Sequence, residues 1–261
     1  MATTYFPERY TNANETTVAV GGIAAGETFS VESPADVFNR MFYPYIQPTF
    51  SAFAITGVTS PLEVGASIAA NPTFTFTVTN KANITTAACI RISASSSPTP
   101  VTVTWVVPTW AGNNGSYAAT YDAVTKLVAT SDVFTIQGRD SLSGTFEKTY
   151  TVNWYYKRYY GESAVSGEGT LLTDTDIKGM RVSALAASGA GTYAFVENAG
   201  KYKWIISAYP LTTFTDTGTG FPASMKTDLD NVDVAVNGVT TSYYIYRSNN
   251  ILNNAVTIAA S

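Results

Sequence analysis

Short runs of β-branched and aromatic residues, separated by turn residues, recur along most of this chain and constrain its fold more than any other feature. Residues 74–79 read FTFTVT, and this strict alternation of apolar and polar side chains is typical of a strand with one buried face. The pattern predicts an all-β fold with eight strands in the first part of the chain: residues 50–58, 62–68, 73–80, 89–93, 101–107, 117–121, 133–137 and 149–159.

The number and spacing of these strands predict an antiparallel, immunoglobulin-like β-sandwich over residues 49–160. Antibody domains pin their two sheets together with a disulfide, but this chain has a single cysteine, Cys89. Its sandwich must therefore be held by packing alone, and Cys89 is expected to be a buried, unreactive thiol within a strand.

A second, smaller β-rich domain is predicted over residues 161–261. The Asn237-Gly238 pair between two apolar runs is a strong signal for a tight hairpin. Residues 174–188 fit either a short helix or a loop. Five further strands are expected at residues 191–197, 202–208, 231–236, 242–247 and 255–259.

One short helix is predicted within an N-terminal docking segment, residues 1–48. Ser33 is a good N-cap, Pro34 suits the first helical position, and Pro44 disfavours helical geometry at the residue before it. A helix this short is not stable alone in water, so its apolar stripe must pack against another surface. The stripe, which we take as candidate assembly contacts, consists of Val37, Phe38, Met41, Phe42 and Tyr45.

The charge and hydropathy pattern argue against two classes of partner. Only 13% of residues are charged and the net charge is −4, so the basic surface that binds a nucleic-acid backbone is missing. No apolar run is long enough for a membrane span. The N-terminal residues lack the pattern of a secretory signal, so we expect synthesis in a cytoplasm.

Histidine is absent from the chain, which removes the commonest general base and the usual histidine-containing nucleophile and zinc arrangements. Gly21-Gly22 lacks the lysine and hydroxyl residue of a phosphate-binding loop. We therefore expect a protein that is not an enzyme, with no catalytic residue, no cofactor and no metal.

Two sets of acidic residues leave alternatives open. Asp228, Asp230 and Asp233 can be read as calcium ligands, although a solvated loop before a strand fits the spacing better. The same acids, or Glu162 with Glu168, can be read as a glycosidase pair, since two carboxylates suffice for that chemistry.

The aromatic run at residues 154–160 is the third unusual feature. Its simplest interpretation is an edge or inter-domain strand, because both faces of so aromatic a strand cannot be fully exposed. A protein–protein contact is the sharper interpretation, with Tyr155, Arg158 and Tyr159 as candidate contacts, since Tyr and Arg are enriched in binding hot spots. A platform for stacking sugars is the third.

The order of several short motifs resembles a family of structural proteins from tailed bacteriophages, and the resemblance covers nearly the whole chain. At residues 211–214 this chain has LTTF, where the family often has a glycine-rich turn. The segments that carry the resemblance are GGIAAGETF at 21–29, FYPY at 42–45, EVG at 63–65, YYG at 159–161, SAYP at 207–210 and YIYRS at 244–248.

This resemblance implies a non-enzymatic component of the virion, in the neck, tail, baseplate or fibre attachment, and it carries over no catalytic residue. The implied partners are other virion proteins and further copies of this chain in a homo-oligomer. A receptor- or glycan-binding fibre head is the alternative, with loops 110–117 and 214–221 as candidate sites. A head-decorating protein is the third function considered.

Overall fold

The structure, a computed structural model, describes residues 10–11, 30–31, 38, 42, 45–85, 87–95, 101–102, 104–142 and 144–261. Strands account for 51% of residues and helices for 5%, which confirms the predicted all-β class. The strands of the described residues are β1 Tyr10–Thr11, β2 Ser30–Val31, β3 Thr49–Ile55, β4 Leu62–Glu63, β5 Ser67–Ile68, β6 Thr73–Thr79, β7 Ile90–Ala94, β8 Val101–Thr102, β9 Thr109–Ala111, β10 Asn114–Ala118, β11 Val124–Thr125, β12 Thr130–Arg139, β13 Thr145–Ser163, β14 Val182–Ala186, β15 Gly191–Phe195, β16 Tyr202–Ser207, β17 Phe214–Asp216, β18 Met225–Lys226, β19 Val232–Val236, β20 Val239–Ser248 and β21 Val256–Ala260.

Two antiparallel sheets pack face to face in the first unit, with strand orders β3-β6-β10-β9 and β8-β7-β12-β13. Aromatic side chains join the sheets: the ring centroids of Phe50 and Phe146 lie 4.7 Å apart, and those of Phe74 and Phe134 lie 5.8 Å apart. Such pairs add to the stability that buried apolar area provides. The assignment of this sandwich to the immunoglobulin-like fold stays a prediction.

Strand β13 runs without interruption through both units. Its first ten residues pair with β12, while its C-terminal part pairs with β14 on one side and β16 on the other. Neighbouring side chains point to opposite faces of a strand, so Tyr159 and Tyr160 enter different hydrophobic cores. The predicted domain boundary between residues 160 and 161 therefore lies inside a continuous strand.

The second unit is built on β13, β16 and β20, and both faces of this sheet are covered. On one face lies a core that includes Trp204, Val234 and Tyr243. The sheet β15-β21-β17 covers the other face and contributes Tyr193 and Ile258 to a separate core. Each layer buries an apolar face that a single sheet would leave in water.

The helix α1, Asp174–Lys178, and strand β14 together occupy the segment predicted to be a short helix or a loop. A reciprocal capping box starts the helix, because the Thr173 hydroxyl accepts from the Asp176 amide and the Asp176 carboxylate accepts from the Thr173 amide. The Thr173 hydroxyl also donates to the Asp176 carboxylate at 2.6 Å, and this bond, with the one from the Thr173 amide, lowers the pKa of Asp176. Strand β14 was missed because its Ala-rich sequence carries little strand signal without its partner β13.

The two units meet where the β19–β20 turn packs against the first unit. Asn237 and Gly238 have φ angles of 50° and 78°, and Val236 pairs with Val239, which confirms the predicted tight hairpin. The Asn237 amide donates to the Val64 carbonyl at 3.4 Å. Lys157 forms an ion pair with Glu63 at 2.9 Å beside this contact. We call this contact region the joint.

Replacing Gly65 with alanine tests how tightly the joint packs. Gly65 has a φ of +83°, and an added Cβ would lie 2.8 Å from both the Cβ and the carbonyl oxygen of Asn237. Gly57 has a similar φ of +76° but nothing within 4 Å, so Gly57→Ala is a matched control for backbone strain alone. We expect Gly65→Ala to lower the free energy of unfolding by ~1–3 kcal/mol more than Gly57→Ala does. Equal losses in urea titrations would contradict close packing at the joint.

Candidate interaction surface

The described part of the predicted N-terminal stripe is exposed and apolar. Phe38 and Phe42 are helical, with 57% and 68% of their surface exposed, and their rings stack with centroids 6.1 Å apart. Tyr45 lies beyond the helix and is 40% exposed, and Ile46 beside it is 57% exposed. Val37 and Met41, the other members of the predicted stripe, lie outside the described residues.

Hydrogen bonds attach this segment to the end of the sandwich. The Asn83 side chain donates to the Ile46 carbonyl at 2.8 Å, and the Asn83 carbonyl accepts from the Ser141 amide at 2.8 Å. These two bonds bring Ile46 close to the β12–β13 turn, whose Leu142 is 68% exposed. We call the exposed residues Phe38, Phe42, Tyr45, Ile46 and Leu142 the apolar end. Exposed apolar surface is often used for interaction with other molecules, so we take these residues as the candidate contact surface.

Asp140 is the buried carboxylate that organises the apolar end. It accepts hydrogen bonds from the backbone amides of Leu142 at 2.9 Å and Gly144 at 2.6 Å, and its interactions with the side chains of Tyr45 and Gln47 also act to lower its pKa. Burial acts to raise the pKa of Asp140, but these hydrogen bonds outweigh it and the pKa is lowered. Desolvation and the bond to Asp140 raise the pKa of Tyr45 to about 12.

The residues of β13 that are predicted as assembly contacts mostly make contacts inside the chain. Tyr159 is only 3% exposed and its ring lies 5.9 Å from that of Tyr243 in the core. Burial, with the charges of Glu63 and Asp174, raises the pKa of Tyr159 to about 12. A surface contact through this ring would require the core to open. Tyr155 is half-buried on the same strand.

Arg158 holds two segments of the second unit together. Its guanidinium donates to the Ala190 carbonyl at 3.0 Å and lies over the Tyr193 ring at 5.1 Å. Its Nε is buried and has no hydrogen-bond partner among the described residues. These contacts give Arg158 a structural role inside the chain, in addition to the predicted role in assembly.

The two glutamates of the suggested glycosidase pair have different surroundings. Glu162 is buried and accepts from the Val196 amide at 3.0 Å and from Arg181 at 3.3 Å. Burial lowers the pKa of the neighbouring Lys203, although the charge of Glu162 acts to raise it. The Glu168 side chain is 67% exposed and forms only long ion pairs, at 3.7 Å or more. The buried Glu162 carboxylate thus has its hydrogen-bond partners within the chain, in Arg181 and the Val196 amide.

The loops suggested for glycan binding differ in how much aromatic surface they offer. Residues 110–117 form the β9–β10 hairpin, in which Trp110 is half-buried against Phe76 at 5.5 Å, with Lys81 over its ring at 4.7 Å. In residues 214–221, Phe214 is buried but Phe221 is 72% exposed. Phe221 is therefore the more available stacking surface.

The described residues contain neither a clustered set of metal ligands nor a helix suited to span a membrane. Within them, no group of three or more His, Cys, Asp or Glu side chains is placed to hold a metal ion. In the same part of the chain, no helix combines the length and the apolar character needed to cross a membrane.

Sequence reasoning missed Asp140, Leu142 and Ile46 as parts of this surface. Asp140 followed by Gly144 is a signal for a turn closed by the aspartate side chain, and that signal was available. The proximity of this turn to Ile46 depends on Asn83, which lies far from both in the sequence.

No protein-family model and no curated protein matches the chain. Among solved structures, it is similar to an α-L-rhamnosidase from Streptomyces avermitilis complexed with L-rhamnose, with 11% identity, a TM-score of 0.30, and coverage of 82% of this chain and 22% of that one. It is also similar to an α-L-rhamnosidase from Dictyoglumus thermophilum, with 11% identity, a TM-score of 0.24, and coverage of 81% and 24%. The chain spans less than a quarter of each. Likenesses at these scores support no conclusion about fold or function.

Replacing Asp140 with asparagine tests its role at the apolar end. We expect Asp140→Asn to lower the free energy of unfolding by ~1–3 kcal/mol at neutral pH, because buried amide donors lose a charged acceptor. Folding lowers the pKa of Asp140. The stabilisation that its carboxylate gives to the fold is therefore fully present above the ordinary aspartate pKa, and it is lost as the pH falls through the lowered pKa.

The difference between wild type and Asp140→Asn should therefore shrink on acidification in denaturant titrations at several pH values. Asp230→Asn, at an exposed aspartate, is the control and should change stability little at any pH. A difference between wild type and Asp140→Asn that stays constant down to acid pH would show that the charge of Asp140 is not the stabilising feature.

Proposed function

We propose that this chain is a non-enzymatic structural component of a tailed bacteriophage particle, acting in the neck, tail, baseplate or fibre attachment through contacts between proteins. The observation that carries the contact role is the apolar end, where the stacked Phe38 and Phe42 rings are exposed, as are Tyr45 and Ile46. The phage assignment rests on the order of the sequence motifs. Its location is then the virion, and its partners are other virion proteins and further copies of itself.

The way the apolar end is attached supports an assembly role. The Asn83 side chain ties Ile46 to the sandwich, so this part of the apolar end is carried by an anchored segment. An anchored apolar surface loses less conformational entropy on binding than an unattached one does. None of the five residues of the apolar end belongs to any of the three hydrophobic cores of the described residues, so their side chains are available to a neighbour.

A receptor- or glycan-binding role is the second candidate, and Phe221 is the observation that favours it. This ring is 72% exposed in a turn where the Asp216 carboxylate accepts from the Gly218 amide. Exposed aromatic rings beside polar groups are suited to stacking on sugars. A head-decorating protein would use the same apolar end and differs only in location.

Replacing both exposed phenylalanines with glutamine tests the assembly role. Wild type should form oligomers in light scattering or sedimentation velocity, and Phe38→Gln/Phe42→Gln should be monomeric with unchanged circular dichroism, because glutamine keeps helix propensity but removes the apolar rings. Phe221→Gln, at an equally exposed ring elsewhere, is the matched control and should assemble like wild type. A wild-type chain that stays monomeric at all concentrations would refute self-assembly.

The same variants separate the two candidate functions. On a glycan array, binding that is lost in Phe221→Gln and kept in Phe38→Gln/Phe42→Gln would support the second candidate. Incorporation into particles, followed by complementation of a phage that lacks the protein, should instead be lost in the double variant and kept in Phe221→Gln. Incorporation unaffected by the double variant would contradict the assembly role of the apolar end.

A further inference from the structure

The chain contains two Asn-Gly steps, Asn114-Gly115 and Asn237-Gly238. Such a step can deamidate without an enzyme, because the glycine amide is little hindered. The glycine nitrogen attacks the asparagine Cγ, a new C–N bond closes a succinimide, and the side-chain nitrogen leaves as ammonia. Solvent water then opens the ring to aspartate or isoaspartate. The reaction requires the backbone at the step to rotate into a cyclic geometry.

The first Asn-Gly step is held in place on both sides. Asn114 lies in β10, where it pairs with Thr77 of β6 and with Ala111 of β9. Its side-chain oxygen also accepts from the Thr77 hydroxyl at 2.7 Å. Rotation at this step would break both ladders, so the fold protects Asn114 from cyclisation.

The second Asn-Gly step stands at the tip of a hairpin. The pairing of β19 with β20 ends at Val236 and Val239, so Asn237 and Gly238 lie outside the ladder, and both are exposed. The Asn237 side chain makes a single, long hydrogen bond, 3.4 Å to the Val64 carbonyl. Opening this two-residue turn disturbs far less structure than opening β10.

The chemistry at Asn237 would act directly on the joint. Conversion to a carboxylate removes the donor to the Val64 carbonyl and places a negative charge opposite that partially negative carbonyl oxygen. Isoaspartate additionally lengthens the main chain of a two-residue loop, whose geometry depends on its length. Gly65 packs against this same residue, so either product disturbs the contact between the units.

We propose that Asn237 is a site of spontaneous, selective deamidation and that its conversion loosens the joint between the two units. This inference is independent of the phage assignment. Under this proposal, the contact between the two units weakens as the protein ages.

Peptide mapping of the aged chain tests the selectivity. The folded, full-length protein and a urea-unfolded sample are incubated side by side in mildly alkaline buffer, and both Asn-Gly peptides are followed by mass spectrometry. In urea the two sites should react at similar rates. In the folded protein Asn237 should react at least ~10-fold faster than Asn114, because a hairpin tip opens more readily than a doubly paired strand. Equal rates in the folded protein, or an intact Asn237 after the unfolded sample has reacted, would overturn the proposal.

The variant Asn237→Gly tests the effect on the joint. Glycine accepts the positive φ of this position and keeps a tight turn, but it cannot deamidate. Because Asn237→Gly itself lacks the donor to the Val64 carbonyl, limited proteolysis of each aged protein is compared with that of its own fresh sample. After ageing, wild type should be cleaved faster near the joint and Asn237→Gly should be unchanged. Aged wild type with confirmed conversion and unchanged cleavage would overturn the loosening of the joint.

Discussion

The backbone hydrogen bonding of strand β13 is the constraint on which the rest of this structure depends. The 19 residues from Thr145 to Ser163 belong to the sandwich at one end and to the second unit at the other. Because the two units share one ladder, they cannot turn freely against each other without breaking backbone hydrogen bonds in the middle of a sheet. The alternation of side chains along this strand also supplies all three cores: Trp154 enters the first, Tyr159 the second and Tyr160 packs against the third.

Buried polar groups on and around β13 find hydrogen-bond partners within the chain. Trp154 donates its indole hydrogen to the Ala66 carbonyl at 3.1 Å, and Glu162 accepts from Arg181 and a backbone amide. Buried polar atoms without partners destabilise a fold, so these bonds are needed for the strand to stay buried on both faces. The buried Asp140 carboxylate likewise accepts hydrogen bonds from backbone amides of the β12–β13 turn, which carries Leu142 of the apolar end. The proposed assembly surface is thus supported by satisfied polar groups beneath it.

Sequence patterns predicted the strand content and much of the element placement, including the hairpin at Asn237-Gly238 and the helical state of Phe38 and Phe42. They did not predict β14, nor that residue 160 would lie inside a strand. A period of two in the sequence shows which side chains share a face, but it does not show which strand lies alongside. For the candidate site, the spacing predicted the helical positions of Phe38 and Phe42, whereas the closeness of Ile46 to the β12–β13 turn was not predicted, because it depends on contacts between distant residues.

What the sequence determined by itself is local: the all-β class, the positive φ angles at the β19–β20 turn, and the amphipathic character of the N-terminal stripe. These follow from side-chain sterics and from the alternation of apolar residues, which act within a few positions. Only the tertiary structure decided that Tyr159 is buried against Tyr243 while Phe38 and Phe42 stay exposed. Aromatic residues have the same intrinsic preference for burial in both places. Their different environments arise because strand pairing over long separations sets which surfaces are covered, and those pairings form through contacts that no short segment contains.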